Sequence, residues 1–249
     1  MGFCACPRCK GEFPSAMLER STRTLHIALV GDEGCGKSTW MEAVVERFRQ
    51  LSTAFGWSVM EQYAGNGKSK LFCLHNRGRN ILLSLSESRG ETLNSPKKQA
   101  LSGIILMTEP GTFTSVTANS SLAPAKGSDE TFLRLLGRIK KEFTGIPVAV
   151  TLNKTDLLRN HTAGKWELRP SIHRVCRDCI HNGSLDAGEQ GTISCEMSAW
   201  LSAADTRLQK LLMQDAKCAL FGCSSKSDAL RAEEPLLWIM AQNGFIKQS

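Results

Sequence analysis

At 249 residues, with 41% hydrophobic and 22% charged side chains, the chain has the make-up of a soluble globular protein: one substantial domain with insertions, or one domain with a small appendage. No stretch nears the roughly 18 consecutive apolar residues that cross a bilayer, and no basic-then-apolar signal segment opens the chain, so a cytoplasmic protein that does not engage a membrane is expected. The net charge of +7 is dispersed (Arg77 and Arg79, Lys97 and Lys98, Arg138 with Lys140 and Lys141), which suits solvated faces; with no nucleic-acid motif and no array of stacking aromatics, nothing points to a nucleic-acid partner.

In chain order, residues 1–22 read as a Cys-, Gly- and Pro-bearing head and 23–249 as the main domain. Leu25-His26-Ile27-Ala28-Leu29-Val30 is a nearly continuous apolar run, the pattern of a strand buried on both faces of a parallel sheet. A Gly-rich loop follows. Then Met41, Val44, Val45, Phe48 and Leu51 recur at helical spacing. The runs Leu71–Leu74 and Ile81–Leu85, separated by Asn76-Arg77-Gly78-Arg79, predict a hairpin. Gly103–Met107 predicts another buried strand, and Gly111–Ser128, rich in Thr, Ser, Ala, Gly and Pro, a mobile loop or linker. Phe132, Leu135, Leu136, Ile139 and Phe143 mark an amphipathic helix, and Ile146–Leu152 a fifth strand. The polar region 157–191 reads as an insertion. A helix is expected from about Glu196 to Gln214, a short strand at Cys218–Phe221, and a last helix from Glu234, with Pro235 in its first turn and Gly244 at its stop. Strands alternating with helices, plus one hairpin, predict an α/β three-layer domain with a mostly parallel six-stranded sheet and one antiparallel hairpin strand.

Gly31-Asp32-Glu33-Gly34-Cys35-Gly36-Lys37-Ser38-Thr39 lies between the first strand and the first helix. A Gly-x4-Gly-Lys-Ser loop in that context is a phosphate-binding loop. Its glycines let backbone amides wrap around phosphate oxygens, and the helix start adds free amides and the positive end of a dipole. Lys37 supplies a point charge to the β and γ phosphates, and Ser38 a hydroxyl to magnesium. The loop alone specifies a nucleotide without saying which.

Asn153-Lys154-Thr155-Asp156 follows the fifth strand, and with it the chain resembles the Ras-like, translation-factor class of P-loop GTPases. The resemblance rests on about four motifs spread over Leu25 to Met240. It implies a Ras-like G domain in which Asp156 accepts from the guanine ring N–H and amine, Lys154 covers the base or ribose, and Asn153 braces the phosphate loop. The family's D-x-x-G motif corresponds to Glu87-Ser88-Arg89-Gly90: Gly90 would offer its amide to the γ phosphate, and Glu87, one methylene longer than the usual Asp, would stand near magnesium. Glu91 takes the position of the catalytic glutamine. The switch threonine is unassigned, with Thr53 and Ser69 as candidates. The last guanine contact falls on Ser224-Ser225 rather than Ser198-Ala199, because Ser198 and Ala199 lie within a helical stripe. The Cys-pair head, Gly90-Glu91 and Glu233–Trp238 are also similar to bacterial GTPases proposed for conflict or signalling systems.

Ten cysteines in a chain without an export signal suggest thiols or metal ligands rather than disulfides. Cys4-Ala5-Cys6-Pro7-Arg8-Cys9 resembles a zinc knuckle, and Cys176-Arg177-Asp178-Cys179 is the other C-x2-C pair. A site of Cys6, Cys9, Cys176 and Cys179 and a site of Cys4, Cys6 and Cys9 with a further ligand are the alternatives, with helical core packing of Cys176 and Cys179 as the plain reading. The expectation is a magnesium-dependent GTP/GDP-binding protein, a GTP-hydrolysing switch acting on a protein effector. The alternative is a nucleotide-stabilised scaffold with little hydrolysis.

Overall fold

A computed structural model of the chain describes residues 3–5, 12–14, 22–64, 69–76, 79–88, 101–161, 183–212, 217–226 and 230–249. At the N-terminus, β1 (Phe3–Ala5) and β2 (Glu12–Pro14) form an antiparallel ladder with Cys4 opposite Phe13. The main domain begins with β3 (Arg23–Gly31), α1 (Lys37–Phe55), β4 (Ser58–Ala64), β5 (Ser69–Asn76), β6 (Arg79–Ser88) and β7 (Gly103–Thr108). A 3₁₀ turn (Pro110–Thr112) leads into α2 (Thr114–Thr117), α3 (Asp129–Glu142), β8 (Val148–Leu152) and α4 (Thr155–His161). β9 (Ser184–Leu185), α5 (Ala187–Ala204), α6 (Thr206–Leu212), β10 (Cys218–Gly222), α7 (Glu234–Gln242) and β11 (Lys247–Gln248) complete it.

The main sheet has the order β10-β8-β7-β3-β6-β5-β4. It is parallel from β10 to β6, while β5 runs antiparallel to β6 and β4 antiparallel to β5. The α/β class and the mostly parallel sheet are as the sequence predicts. The strand count is corrected to seven, and β5 is the one strand that runs against the others. β4 is the addition, an edge strand that forms as the chain returns from α1 to meet β5.

Helices pack on both faces. On β3, Leu25, Ile27 and Leu29 point into a core shared with α1 (Trp40, Met41, Val44, Phe48) and α7 (Leu236, Leu237, Ile239, Met240). The alternate residues Ala28 and Val30 enter a second core with α3, α5 and α6 (Phe132, Leu136, Met197, Trp200, Leu208). This period of two explains why β3, β7 and β8 read as unbroken apolar runs: each face of the sheet is covered.

Two further expectations are corrected. The 111–128 segment is not a free linker, because Phe113, Val116 and Leu122 are buried against α3 and α5. The predicted 196–214 helix is two helices, α5 starting nine residues earlier and breaking at Asp205, so the supposed insertion is folded at its end from Ser184 and at its start as α4. Asp186 caps α5 by accepting from the Glu189 amide at 2.9 Å.

Candidate functional site at the carboxyl ends of the strands

The sheet reverses direction of growth at β3, whose neighbours β6 and β7 lie on opposite sides. The crevice beyond the carboxyl ends of the strands at such a point is where open α/β sheets bind ligands. Gly31 ends β3, Glu87 lies one residue from the end of β6, Asn153 directly follows β8, and Ser224 lies two residues beyond β10. Segments far apart in the chain therefore meet along one edge.

The Gly31–Ser38 loop is shaped by close approaches that admit no side chain. A Cβ on Gly31 would stand 2.4 Å from the Met107 carbonyl oxygen, and one on Gly36 2.5 Å from Asn153 Nδ2. Gly34 and Gly36 both have φ of +90°, in the left-handed region that favours glycine. Gly36 caps α1, so the first amides of that helix face the loop. Lys37 is buried and its Nζ donates to the Gly31 and Asp32 carbonyls at 2.9 and 2.7 Å. Glu87 lies across from it: its carboxylate pairs with Lys37 at 3.8 Å and accepts from Ser38 Oγ at 3.2 Å. Ser38 and Thr39 are exposed.

The second loop is tied to the first. Asn153 Nδ2 donates to the Cys35 carbonyl at 3.0 Å, while its Oδ1 accepts from Ser225 Oγ at 2.7 Å and from Cys223 Sγ at 3.6 Å. Lys154, held at φ of +59°, donates through Nζ to the Gly34 carbonyl at 2.7 Å and pairs with Glu109. Asp156 accepts from Ser224 Oγ at 2.7 Å. Backbone bonds from the Cys223 amide to Leu152 and from the Thr155 amide to Cys223 continue the β8–β10 pairing into these loops. Ser198 and Ala199 lie inside α5, and Ser224-Ser225 lie in the loop after the last sheet strand, the arrangement expected from the helical stripe.

The connection after β7 forms an outer wall that the sequence does not announce. Glu109 directly follows β7, as Asn153 follows β8, which is the signal that could have marked it. Lys126 Nζ pairs with Glu33 Oε1 at 2.6 Å. Gly127 presses on Asp32, where a Cβ would meet the carboxylate at 2.1 Å and the Asp32 Cβ at 2.8 Å. No pattern in the Thr/Ser/Ala-rich segment foretells Lys126 at the loop.

Burial sets the protonation of the groups inside. It raises the Asp32 carboxyl above its ordinary range, with Lys37 opposing. It pushes the Cys35 thiol up to about 11, again against Lys37, and Cys223 well above an ordinary thiol, with Glu234, Glu233 and Asp156 adding to the rise. Both cysteines therefore stay as thiols and act as packing groups.

Of the switch candidates, Thr53 lies fifteen residues along α1 from Ser38, about 22 Å at 1.5 Å per residue, too far to share a ligand. Ser69 opens β5 opposite Ser86, next to Glu87. Gly90 and Glu91, and Cys6, Cys9, Cys176 and Cys179, lie outside the described residues. Among the described residues no group of three or more His, Cys, Asp or Glu side chains is arranged to hold a metal, and no helix is long and apolar enough to cross a membrane.

Compared with known proteins, the chain matches no protein-family model and no curated protein.

Proposed function

We propose that the protein binds GTP with magnesium along this edge and acts as a nucleotide-dependent switch on a protein effector. The observation that carries the reading is the double role of Asn153, which donates to the Cys35 carbonyl and accepts from Ser225. It fixes a phosphate-type loop, an Asn-Lys-x-Asp loop and a serine loop as one surface. In the proposed complex the amides of residues 33–37 and the Lys37 ammonium take the phosphates. Asp156, oriented by Ser224, accepts from the guanine N–H and amine. Adenine lacks that donor pair and leaves the carboxylate unmatched.

The oxygen donors Ser38 Oγ and Glu87, 3.2 Å apart, suit a hard divalent cation such as magnesium. Magnesium bound there would neutralise phosphate charge, and hydrolysis would then rest on positioning and electrostatics. Glu87 reaches Lys37 itself, and this favours a second reading, a nucleotide-stabilised scaffold with slow turnover, because the carboxylate competes for the lysine that phosphates need.

Displacement of a fluorescent GTP analogue tests the first reading. GTP should compete and ATP should not, and Asp156→Asn should move preference toward xanthine nucleotides. Equal competition by ATP sinks it. Phosphate release that is lost in Lys37→Ala decides for the switch over the scaffold.

A further inference from the structure

Resting on the GTP reading, we propose that Lys126 is a second phosphate-contacting lysine, supplied by the connection between β7 and α3 and held in reserve by Glu33.

Three lysines surround the phosphate-type loop, and each meets a carboxylate: Lys37 with Glu87, Lys154 with Glu109, and Lys126 with Glu33. The first two are anchored as well to loop carbonyls, Lys37 to Gly31 and Asp32 and Lys154 to Gly34. Lys126 differs. Its Cδ comes within 4.0 Å of a Cβ built on Gly34, so the side chain crosses the loop's outer edge, and both it and Glu33 are about 70% exposed. Exposed ion pairs are weak and exchange partners readily.

What keeps Lys126 at the loop is its backbone. Gly127 packs on Asp32 too closely for any side chain, the Ala125 amide donates to the Gly111 carbonyl at 2.9 Å, and Phe113, Val116 and Leu122 fix the segment in the core. The chain thus carries an ammonium to the rim of the loop proposed to take the phosphates, and places on that same loop an acidic residue, Glu33, that an incoming polyphosphate repels. When the phosphate chain enters, its more concentrated charge draws the Lys126 ammonium away from Glu33, and the freed carboxylate turns to solvent. A cation supplied from within the chain is one established way to stabilise phosphoryl groups.

The simpler role, a counter-ion that only cancels Glu33, is separated by testing Lys126 where Glu33 carries no charge. Binding of a fluorescent GTP analogue with magnesium is measured for the full chain, Glu33→Gln, and Glu33→Gln/Lys126→Ala. The double variant should bind about tenfold more weakly than Glu33→Gln, a loss of the size expected for one charge-assisted contact, while far-ultraviolet circular dichroism stays the same. Equal affinity of the two variants overturns the proposal while leaving the GTP reading intact. Failure of the unaltered chain to bind the analogue overturns both.

Discussion

Glu234 shows how a single residue can tie the stability of this protein to pH. It is 3% exposed at the start of α7, and burial pushes its carboxyl up to about 7, with Arg231 opposing and Glu233 reinforcing the rise. The charges facing it are Arg231 and Glu233 from the approach to α7 and Glu189 from α5, and Glu233 is in turn clamped by Arg47 of α1 through Nη2 at 2.7 Å. A folded value above the unfolded 4.5 means that the native state binds more protons between those two values, so the contribution of this group to stability is fully present below about 4.5 and is lost as pH rises through 7. Between pH 5.5 and 8 this one group should cost on the order of 2 kcal/mol. Urea unfolding at both pH values should show wild type losing more stability on alkalinisation than Glu234→Gln, which keeps the shape without the charge. Parallel losses in the two proteins would defeat the assignment. The Arg47–Glu233 pair was not legible from Glu-Glu-Pro-Leu-Leu-Trp, because the pattern marks a helix start and the arginine that meets Glu233 comes from distant α1. By contrast the place of Asn153, Lys154 and Asp156 at the end of β8 was legible, since they directly follow a buried apolar strand.

At the scale of elements, periodicity identified what is covered on both faces and failed where burial comes from isolated contacts. β3, β7 and β8 are continuous apolar runs and were readable. β4 mixes Val59 and Tyr63 with Ser58, Glu61 and Gln62 at the sheet edge, and its pairing depends on β5 rather than on its own pattern. The start of α5 is masked by Gly188 and Gly191, although Asp186 and Glu189 supply a cap with the spacing of a capping box. The 111–128 segment has three large apolar residues, Phe113, Val116 and Leu122, too few and too widely spaced to mark a continuous helix or strand. Its order comes from Phe113, whose ring meets Phe132 and Trp200 edge-on with centroids 5.9 and 5.8 Å apart. Phe113→Ala should therefore cost about 3–5 kcal/mol, the range for emptying a buried aromatic site. The same variant should also expose residues 118–127 to limited proteolysis. A cost under about 0.5 kcal/mol, as for a surface position, would mean that the segment is the linker its composition suggests.

The whole molecule matters to the site because no single element contains it. Gly31, Glu87, Glu109, Asn153 and Ser224 lie at the carboxyl ends of five parallel strands, and the bonds from Asn153 to Cys35 and from Ser224 to Asp156 exist only when β3, β8 and β10 are in register. An unfolded chain presents none of this, so a ligand bound there stabilises the whole fold by an amount set by its concentration relative to its Kd. At a concentration 100 times its Kd, GTP with magnesium should add about 2.7 kcal/mol, which for a domain of this size raises Tm by roughly 5–10 °C. ATP at the same concentration should leave Tm unchanged. Two variants locate the effect. Lys37→Ala removes the ammonium proposed to meet the phosphates and should abolish the shift. Asn153→Ala leaves every charge in place and cuts the bond between the two loops, so it should shrink the shift while Lys37 remains available. A shift that survives Lys37→Ala would put the nucleotide somewhere other than the strand ends. A shift unaltered by Asn153→Ala would mean that the two loops bind independently rather than as one surface braced by Asn153.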